Sequence, residues 1–151
     1  MAGDTHSGGD LWGGCLCGAV RYRLSGAMVP TGVAYCHCRL CRRSSGAPVM
    51  AWATFPAAAV WLEGIIPAAF AATPRALRQF CPRCGTPLFF TYTQGPPELD
   101  VAVATLDDPT ALAPRYHIWT RAKLPWFDTD DNLPRHAGDG PDGQESDHRQ
   151  I

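Results

Sequence analysis

The sequence predicts a small, mainly β domain with short helical turns, whose sheets are tied together by metal ions. Three observations support this fold class. The chain has 151 residues, of which 46% are apolar, and this is enough for one core. Its 15 glycines and 14 prolines argue against long helices. Its seven cysteines fall into three short clusters, and short extended segments lie between them.

Alternation of apolar and polar residues predicts the strands. Val20, Tyr22 and Leu24 alternate with polar residues, which is typical of a half-buried strand that leaves the first cysteine cluster. Apolar and β-branched residues bounded by turn residues predict the other strands. These strands are predicted at residues 49–55, 60–62, 76–80, 88–93, 99–105 and 117–119.

Proline marks two other local features. Asp107 and Asp108, followed by Pro109, predict one capped helical turn over residues 109–112. The uncharged stretch 44–62 is long enough to raise the question of a membrane span, but it contains two prolines and few large aliphatic residues. We therefore interpret it as two buried strands joined by a turn.

Composition divides the chain into one domain and two polar ends. Residues 1–10 and 136–151 show no apolar periodicity and are expected to be disordered, which leaves residues 11–135 as the domain. The first residues contain no apolar stretch after a basic start, so no secretory signal is expected and the predicted location is cytoplasmic. The formal net charge of -1 gives no general attraction for nucleic acid or an anionic membrane.

The seven cysteines favour metal binding over disulfides, because an odd number leaves one unpaired and disulfides need an oxidising compartment. Cys81 and Cys84, with a proline between them and Gly85 after them, form a knuckle that points two sulfurs at one metal. A closed structural zinc site needs four ligands. Cys15 and Cys17 are the better candidates for the second pair, because this choice keeps the three remaining cysteines together.

The middle cluster places the thiolates of Cys36, Cys38 and Cys41 on a loop or a single helical turn. Three ligands can hold a zinc ion and leave its fourth position to water or substrate. Because zinc with three thiolates carries a net negative charge, such a site suits an incoming thiol better than the activation of water. The alternative is a second closed site whose fourth ligand is His37, His117 or an aspartate.

Charged residues surround this middle cluster. Arg39, Arg42 and Arg43 could offset its negative charge or bind a carboxylate, or they could form an ordinary solvated face. In an extended Cys-His-Cys segment the side chain of His37 points away from the neighbouring sulfurs. This favours a hydrogen-bonding role for His37 over a role as metal ligand.

Two other classes of zinc protein fit less well. Nucleobase deaminases place a glutamate close to their cysteine ligands, whereas Glu63, Glu98 and Glu145 all lie away from the cysteine clusters. Zinc modules that bind nucleic acid show a basic and aromatic surface, which the near-neutral charge disfavours although the arginine-rich middle loop keeps this class open. The sequence contains no P-loop, GxGxxG or GxSxG motif.

Three motifs together resemble one known family. They are residues 13–22 (GGCLCGAVRY), residues 36–43 (CHCRLCRR) with the SGA that follows at 45–47, and residues 80–88 (FCPRCGTPL), and residues 117–119 and 123–127 are also similar. From about residue 11 to 135 the chain resembles the glutathione-dependent formaldehyde-activating enzyme (GFA) family, also called the centromere protein V family. The resemblance implies a mainly β, Mss4-like (β-tent) fold with two zinc ions per chain.

The resemblance also implies roles for the cysteines. It assigns a structural zinc to Cys15, Cys17, Cys81 and Cys84, and a catalytic zinc to Cys36, Cys38 and Cys41. It implies a carbon–sulfur lyase running in reverse, in which glutathione, as co-substrate, condenses with formaldehyde to S-hydroxymethylglutathione. Arg42 and Arg43 are candidate glutathione contacts.

Other expectations follow from this resemblance. Candidate pocket walls, each with a packing role as the alternative, are Trp52, Trp119, Trp126 and Phe127, while His117 is a candidate proton carrier or a structural histidine. The expected partners are a small-molecule thiol and an aldehyde, without nucleic acid or membrane. A thiol carrier without turnover and a zinc-stabilised interaction domain stay open as alternatives. The sequence leaves the oligomeric state open between a monomer and a homo-oligomer.

Overall fold

The computed structural model describes residues 8–140 and shows the mainly β fold that the sequence predicts. Ten strands form two sheets. Their bounds are β1 Leu11–Gly14, β2 Val20–Leu24, β3 Gly32–Cys36, β4 Met50–Pro56, β5 Val60–Gly64, β6 Ala68–Thr73, β7 Ala76–Phe80, β8 Pro87–Tyr92, β9 Glu98–Ala102 and β10 Tyr116–Ile118. One helix of seven residues, α1 Arg39–Ser45, follows β3. No helix within residues 8–140 is long and apolar enough to cross a membrane.

The small sheet has the order β1-β2-β5, and β2 pairs antiparallel with both neighbours. The alternation predicted for β2 is confirmed, since Val20, Tyr22 and Leu24 are fully buried. The Tyr22 ring meets Phe89 of the large sheet edge to face at 5.1 Å between centroids, and its hydroxyl pairs with the Thr105 hydroxyl at 2.7 Å. The inward face of β2 therefore fastens the small sheet to the large one.

The large sheet has seven strands in the order β10-β3-β4-β9-β8-β7-β6. Its pairs are antiparallel except that of β10 with β3. Directly opposed residues project from the same face of a sheet. The five neighbouring strands β3, β4, β9, β8 and β7 therefore present one continuous row of residues. This row carries part of the site described below.

Several predicted elements differ from the structure in extent. The strands β1, β3 and β6 were not predicted, because their alanine- and glycine-rich sequences alternate weakly. The strand predicted over residues 99–105 ends at Ala102, and residues 103–105 turn into a 3-10 helix. The capped turn is confirmed, since Asp108 precedes a 3-10 helix at Pro109–Ala111 and accepts a hydrogen bond from the Thr110 amide.

The stretch 44–62 contains two strands and a turn, but its interpretation as two buried strands is wrong for the second. β4 and β5 lie in different sheets, and most of β5 is exposed. Edge strands have only one neighbour, so Trp61 and Leu62 have little to pack against and are 56% and 48% exposed.

The described fold continues past both predicted domain boundaries. Asp10 forms a salt bridge with Arg23 at 2.7 Å. At the other end, the His136 amide donates to the His117 carbonyl at 2.9 Å, and the Gly138 carbonyl accepts from the Trp119 amide at 2.8 Å. The remaining parts of the segments predicted as disordered, residues 1–7 and 141–151, lie outside the described residues.

Candidate functional site

The first cysteine cluster joins the two sheets. Cys15 and Cys17 lie in the turn between β1 and β2, whereas Cys81 and Cys84 lie in the turn between β7 and β8. The four sulfurs all lie within 4.8 Å of one another, with 3.6 Å from Cys15 to Cys17 and 3.8 Å from Cys17 to Cys81. A tetrahedral zinc site with bonds of about 2.3 Å places its sulfurs about 3.8 Å apart. The geometry of these four sulfurs fits a closed zinc site.

Each pair of this four-cysteine cluster sits in a knuckle that ends in a left-handed glycine. Gly18 and Gly85 both have φ of 78°, a backbone conformation that side chains other than hydrogen disfavour. The Gly85 amide donates to the Cys81 carbonyl at 2.9 Å, which closes the second knuckle. Thr86 joins the two knuckles, because its hydroxyl accepts from the Leu16 amide at 3.1 Å.

The pKa values of two of these four sulfurs, Cys15 and Cys84, lie below the ordinary thiol value. Contacts from the Thr86 hydroxyl and amide lower the pKa of Cys84 to about 5. The Val20 amide donates to the Cys15 sulfur at 3.3 Å, and the Arg83 amide to the Cys81 sulfur at 3.4 Å. Because zinc binds thiolate rather than thiol, donors that favour the charged sulfur also favour metal binding.

The second cluster lies where β3 passes into α1. Cys36 ends β3, Cys38 caps the helix, and Cys41 lies in its first turn. The Cys41 amide donates to the Cys38 sulfur at 3.2 Å, so the cap itself fixes one sulfur. All three sulfurs lie within 4.8 Å of one another, and the side chains are only 4 to 5% exposed. This three-cysteine cluster fits a metal that keeps one position open.

A cavity of about 470 Å³ opens onto the three-cysteine cluster. All three cysteines line it. The other walls combine aromatic rings with a few charged groups. The aromatic and charged lining residues are Trp52, Phe90, Tyr92, Tyr116, Trp119, Arg78, Glu98, Asp100 and Asp139. A volume in the range of 300–1,000 Å³ is typical of pockets for small molecules and cofactors.

Comparisons with known proteins show the family of this chain. The sequence profile described as glutathione-dependent formaldehyde-activating enzyme matches residues 10–122, most of the chain. The chain belongs to this family. It is 35% identical over 83 residues to a Schizosaccharomyces pombe protein named an uncharacterized lyase, with 55% of this chain and 58% of that protein covered. It also resembles the crystal structure of a Rhodobacter sphaeroides protein, with a TM-score of 0.54 and 26% identity over 69% of this chain and 92% of that one.

Within this GFA-family chain, the structure groups the cysteines as four and three. The arginines predicted as glutathione contacts are placed differently from the cysteines. Arg42 and Arg43 lie on α1, but neither lines the cavity, and Arg43 is exposed. Among the described residues that line the cavity, Arg78 of β7 is the one cationic side chain.

Sequence reasoning missed Arg78, which lies three residues before the second knuckle. Its guanidinium donates to the Cys41 sulfur at 3.5 Å and to the Ser44 hydroxyl at 3.2 Å, and it lies over the Phe90 ring at 5.0 Å. The pKa of the Cys41 thiol lies well below its ordinary value, because Cys36 and Cys38 share hydrogen bonds with its sulfur and Arg78 adds positive charge. The available signal in the sequence was a charged residue, Arg78, inside a short predicted strand that leads directly to Cys81.

The predicted aromatic walls divide in the same way. Trp52 and Trp119 line the cavity, whereas Trp126 is 73% exposed and neither it nor Phe127 lies in the wall. Trp119 is also the one residue other than glycine with positive φ, at 56°, among residues 8–140. Such a conformation costs about 1–3 kcal/mol and persists where its surroundings hold it. Here the Trp119 indole donates to Asp139 at 3.3 Å.

His37, which lies between two cysteines of this cluster, belongs to a hydrogen-bonded series of two buried histidines and a partly buried aspartate. Nε2 of His37 and Nδ1 of His117 are 2.8 Å apart, and Nε2 of His117 lies 3.1 Å from both oxygens of Asp131. The Thr129 hydroxyl, with other hydrogen bonds, lowers the pKa of Asp131 to about 2, so this carboxylate accepts. His117 then carries its proton on Nε2, and His37 donates to His117.

These hydrogen bonds indicate a structural role for both histidines. Burial, together with the neighbouring His117, lowers the pKa of His37 to about 4 and keeps its ring neutral at pH 7. The His37 ring pairs with His117 and is not part of the group of three sulfurs. His117 is fully buried and lies outside the cavity lining, so the contacts in the structure describe it as a satisfied histidine.

Proposed function

We propose that this protein is a zinc-dependent carbon–sulfur lyase-type enzyme that condenses glutathione, or a similar thiol, with formaldehyde or another small aldehyde. The product is the S-hydroxymethyl adduct of the thiol. The observation that carries the proposal is the three-cysteine cluster, buried from bulk solvent but open to a cavity of about 470 Å³. Membership of the GFA family supports the reaction class.

The donor set supports the use of a thiol. Cys36, Cys38 and Cys41 supply three soft sulfur ligands, which is the chemistry zinc accepts. When bound there, zinc would supply an open position that favours the deprotonated form of a thiol. The Arg78 guanidinium beside Cys41 offsets part of the negative charge that several sulfurs would bring together.

The cavity supports a substrate larger than the aldehyde alone. Its volume of about 470 Å³ leaves room for a peptide-sized thiol beside the small aldehyde, and the three cysteines are part of its lining. Holding two reactants together converts a bimolecular step into an effectively unimolecular one. Trp52 and Trp119 belong to the same buried cluster as the three cysteines and provide apolar wall on that side of the cavity.

The chemical step is balanced without an oxidant or a reductant. The thiol gives up its proton, its sulfur attacks the carbonyl carbon to form one C–S bond, and the C=O π electrons move to oxygen. Protonation of that oxygen gives the S-hydroxymethyl product, and reversal of the sequence breaks the C–S bond as a lyase does. The seven cysteines are all free, which suits the reducing cytoplasm where we place the protein.

The test is exchange between formaldehyde plus glutathione and their adduct, measured by NMR with the zinc-loaded protein. We expect faster exchange than in buffer, and no acceleration with Cys38→Ser. The matched control is Glu63→Gln, which changes an exposed residue of β5 outside the cavity. Exchange at the uncatalysed rate, with glutathione still bound, would identify a carrier. Absence of both binding and exchange would leave a zinc-stabilised interaction domain.

A further inference from the structure

One wall of the cavity contains a row of residues that crosses five strands of the large sheet. Strand register places Gly32 opposite Thr54, Thr54 opposite Asp100, Asp100 opposite Phe90, and Phe90 opposite Arg78. Opposed residues project from the same face, and all five line the cavity. Arg78 and Asp100 are thus fixed on one surface, with the Phe90 ring between them.

The two charged members of this row are held apart. Adjacent strands are about 4.8 Å apart, so the backbones of Arg78 and Asp100 are separated by about 10 Å. Arg78 contacts Cys41 and Ser44, near the three-cysteine cluster. Asp100 accepts a hydrogen bond from the Thr54 hydroxyl at 2.6 Å. Within residues 8–140, no side chain or amide donates to its other oxygen.

The cavity therefore has two electrically different ends. Arg78, the one cationic side chain among the described lining residues, lies at the sulfur end. Glu98 and Asp139 also line the cavity, and their negative charges act on Asp100. Asp139 is engaged by the Trp119 indole. Among residues 8–140 the carboxyl group of Asp100 has no cationic partner, although a carboxylate in such a confined position gains from one.

We propose that Asp100 binds the ammonium group of the thiol substrate, so that the cavity selects thiols that carry a free amino group several bonds away from the sulfur. This inference rests on the proposed function and specifies its substrate class. The thiol lies at the three-cysteine cluster, the chain of the substrate passes beside Arg78 and Phe90, and the ammonium group donates to Asp100. Thr54 orients the carboxylate by holding one oxygen and leaving the other for the ligand.

The electrostatic surroundings agree with this assignment. Burial, together with the negative charges of Asp139, Cys41 and Glu98, raises the pKa of Asp100 to about 7. Among residues 8–140, none of these main contributions comes from a positive group. The ammonium group of a ligand would offset the negative charges around Asp100, and its binding would favour the charged form of Asp100.

The test compares two thiols that differ by one group. Glutathione and glutaryl-cysteinyl-glycine, which has hydrogen in place of the amino group, are titrated calorimetrically into zinc-loaded wild-type protein and Asp100→Asn. Wild type should bind glutathione roughly tenfold or more tightly than the deamino thiol, the effect expected of a charged hydrogen bond. Asp100→Asn should bind both with the lower affinity. The matched control is Glu63→Gln, which changes an exposed carboxylate of β5 outside the cavity and should keep the preference.

Each other outcome overturns a defined statement. Equal binding of the two thiols by wild type would overturn the inference and leave the proposed function intact, and this comparison needs no variant to fold. If Asp100→Asn weakens the binding of both thiols equally and the preference for glutathione is retained, the inference is also overturned. Asp100 would then act on the shape of the cavity. Wild-type protein that binds neither thiol would overturn the proposed function and this inference with it.

Discussion

The two cysteine clusters differ in a way that burial alone would misjudge. The four-cysteine cluster includes the exposed Cys17 and the half-buried Cys84, yet it joins two sheets through residues 64 positions apart in sequence. The three-cysteine cluster is buried throughout, yet it is local in sequence and lines a cavity. A closed site differs from an open one in the number of sulfurs and in whether a cavity lies next to them. The burial of the cysteines does not distinguish the two kinds of site.

The contrast has a physical basis. A metal that joins distant segments restricts the unfolded chain and stabilises the fold, wherever its ligands lie relative to solvent. A metal that must meet a substrate needs an unfilled position and a protected volume, which require surrounding walls. The large sheet and α1 supply those walls around Cys36, Cys38 and Cys41.

The strongest test of this contrast is removal of one sulfur from the four-cysteine cluster. Cys84→Ser should lower bound zinc from two to one per chain and abolish cooperative thermal unfolding. Apparent zinc-binding free energies on the order of 10 kcal/mol are comparable to the whole stability of a small domain. Native mass spectrometry and circular dichroism measure both. Arg83→Ser, at an exposed site in the same knuckle, is the control that should keep both zinc ions.

The corresponding change in the three-cysteine cluster should have a smaller effect on folding. Cys38→Ser should also lose one zinc ion, but serine is a good helix cap and can keep the bond that Cys38 accepts from the Cys41 amide. We expect a destabilisation of roughly 1–3 kcal/mol and complete loss of glutathione binding, measured by denaturant unfolding and calorimetry. If Cys38→Ser unfolds as fully as Cys84→Ser, the distinction between the clusters is wrong.

A change in the cavity should affect binding with little effect on the metal. Arg78→Gln removes the charge beside Cys41 and should weaken glutathione binding by roughly tenfold or more, as expected for loss of a charged hydrogen bond. Arg78→Lys keeps the charge without the planar guanidinium and should recover part of the affinity. Zinc content should stay at two per chain in both variants. Unchanged affinity in Arg78→Gln would remove Arg78 from the binding site.

The last expected effect is a gradual pH dependence of stability that belongs to the open site alone. The pKa of Asp100 is raised from 3.8 to about 7, mainly by burial, so the unfolded chain loses this proton at lower pH than the folded protein. The native state is therefore penalised as pH rises from about 4 to 7, and the penalty is constant above 7. Asp100→Asn should gain stability relative to wild type over pH 5 to 7, by up to about 1 kcal/mol per pH unit.

Denaturant unfolding of the zinc-loaded proteins at several pH values measures this difference. Asp107→Asn is a useful contrast, because its salt bridge with Arg21 lowers the pKa of Asp107 and so contributes stability above the ordinary carboxyl range. The stability difference between that variant and wild type should be constant over the same interval. A constant difference for Asp100→Asn as well would show that Asp100 is not held in a poorly solvated position.

The sequence by itself determined the features that depend on local spacing. Two sulfurs three residues apart with glycine after them form a knuckle in almost any context, and alternation of apolar residues made β2 recognisable. The cluster at residues 36–41 needs no distant partner. The resemblance to the GFA family then indicated the pairing of Cys15 and Cys17 with Cys81 and Cys84. Strands β1, β3 and β6 were missed because glycine and alanine leave little periodic signal.

The tertiary structure alone decided what faces the open site. Arg42 and Arg43 are neighbours of Cys41 in sequence, but they do not line the cavity, whereas Arg78 reaches the cavity from a strand 37 residues away. Asp100 meets Thr54, Phe90 and the cavity only through the register of three strands. The pairing of His37 with His117 likewise depends on a parallel strand contact. Spacing fixes ligands within one turn, but side chains from separate strands converge only when the whole sheet has formed.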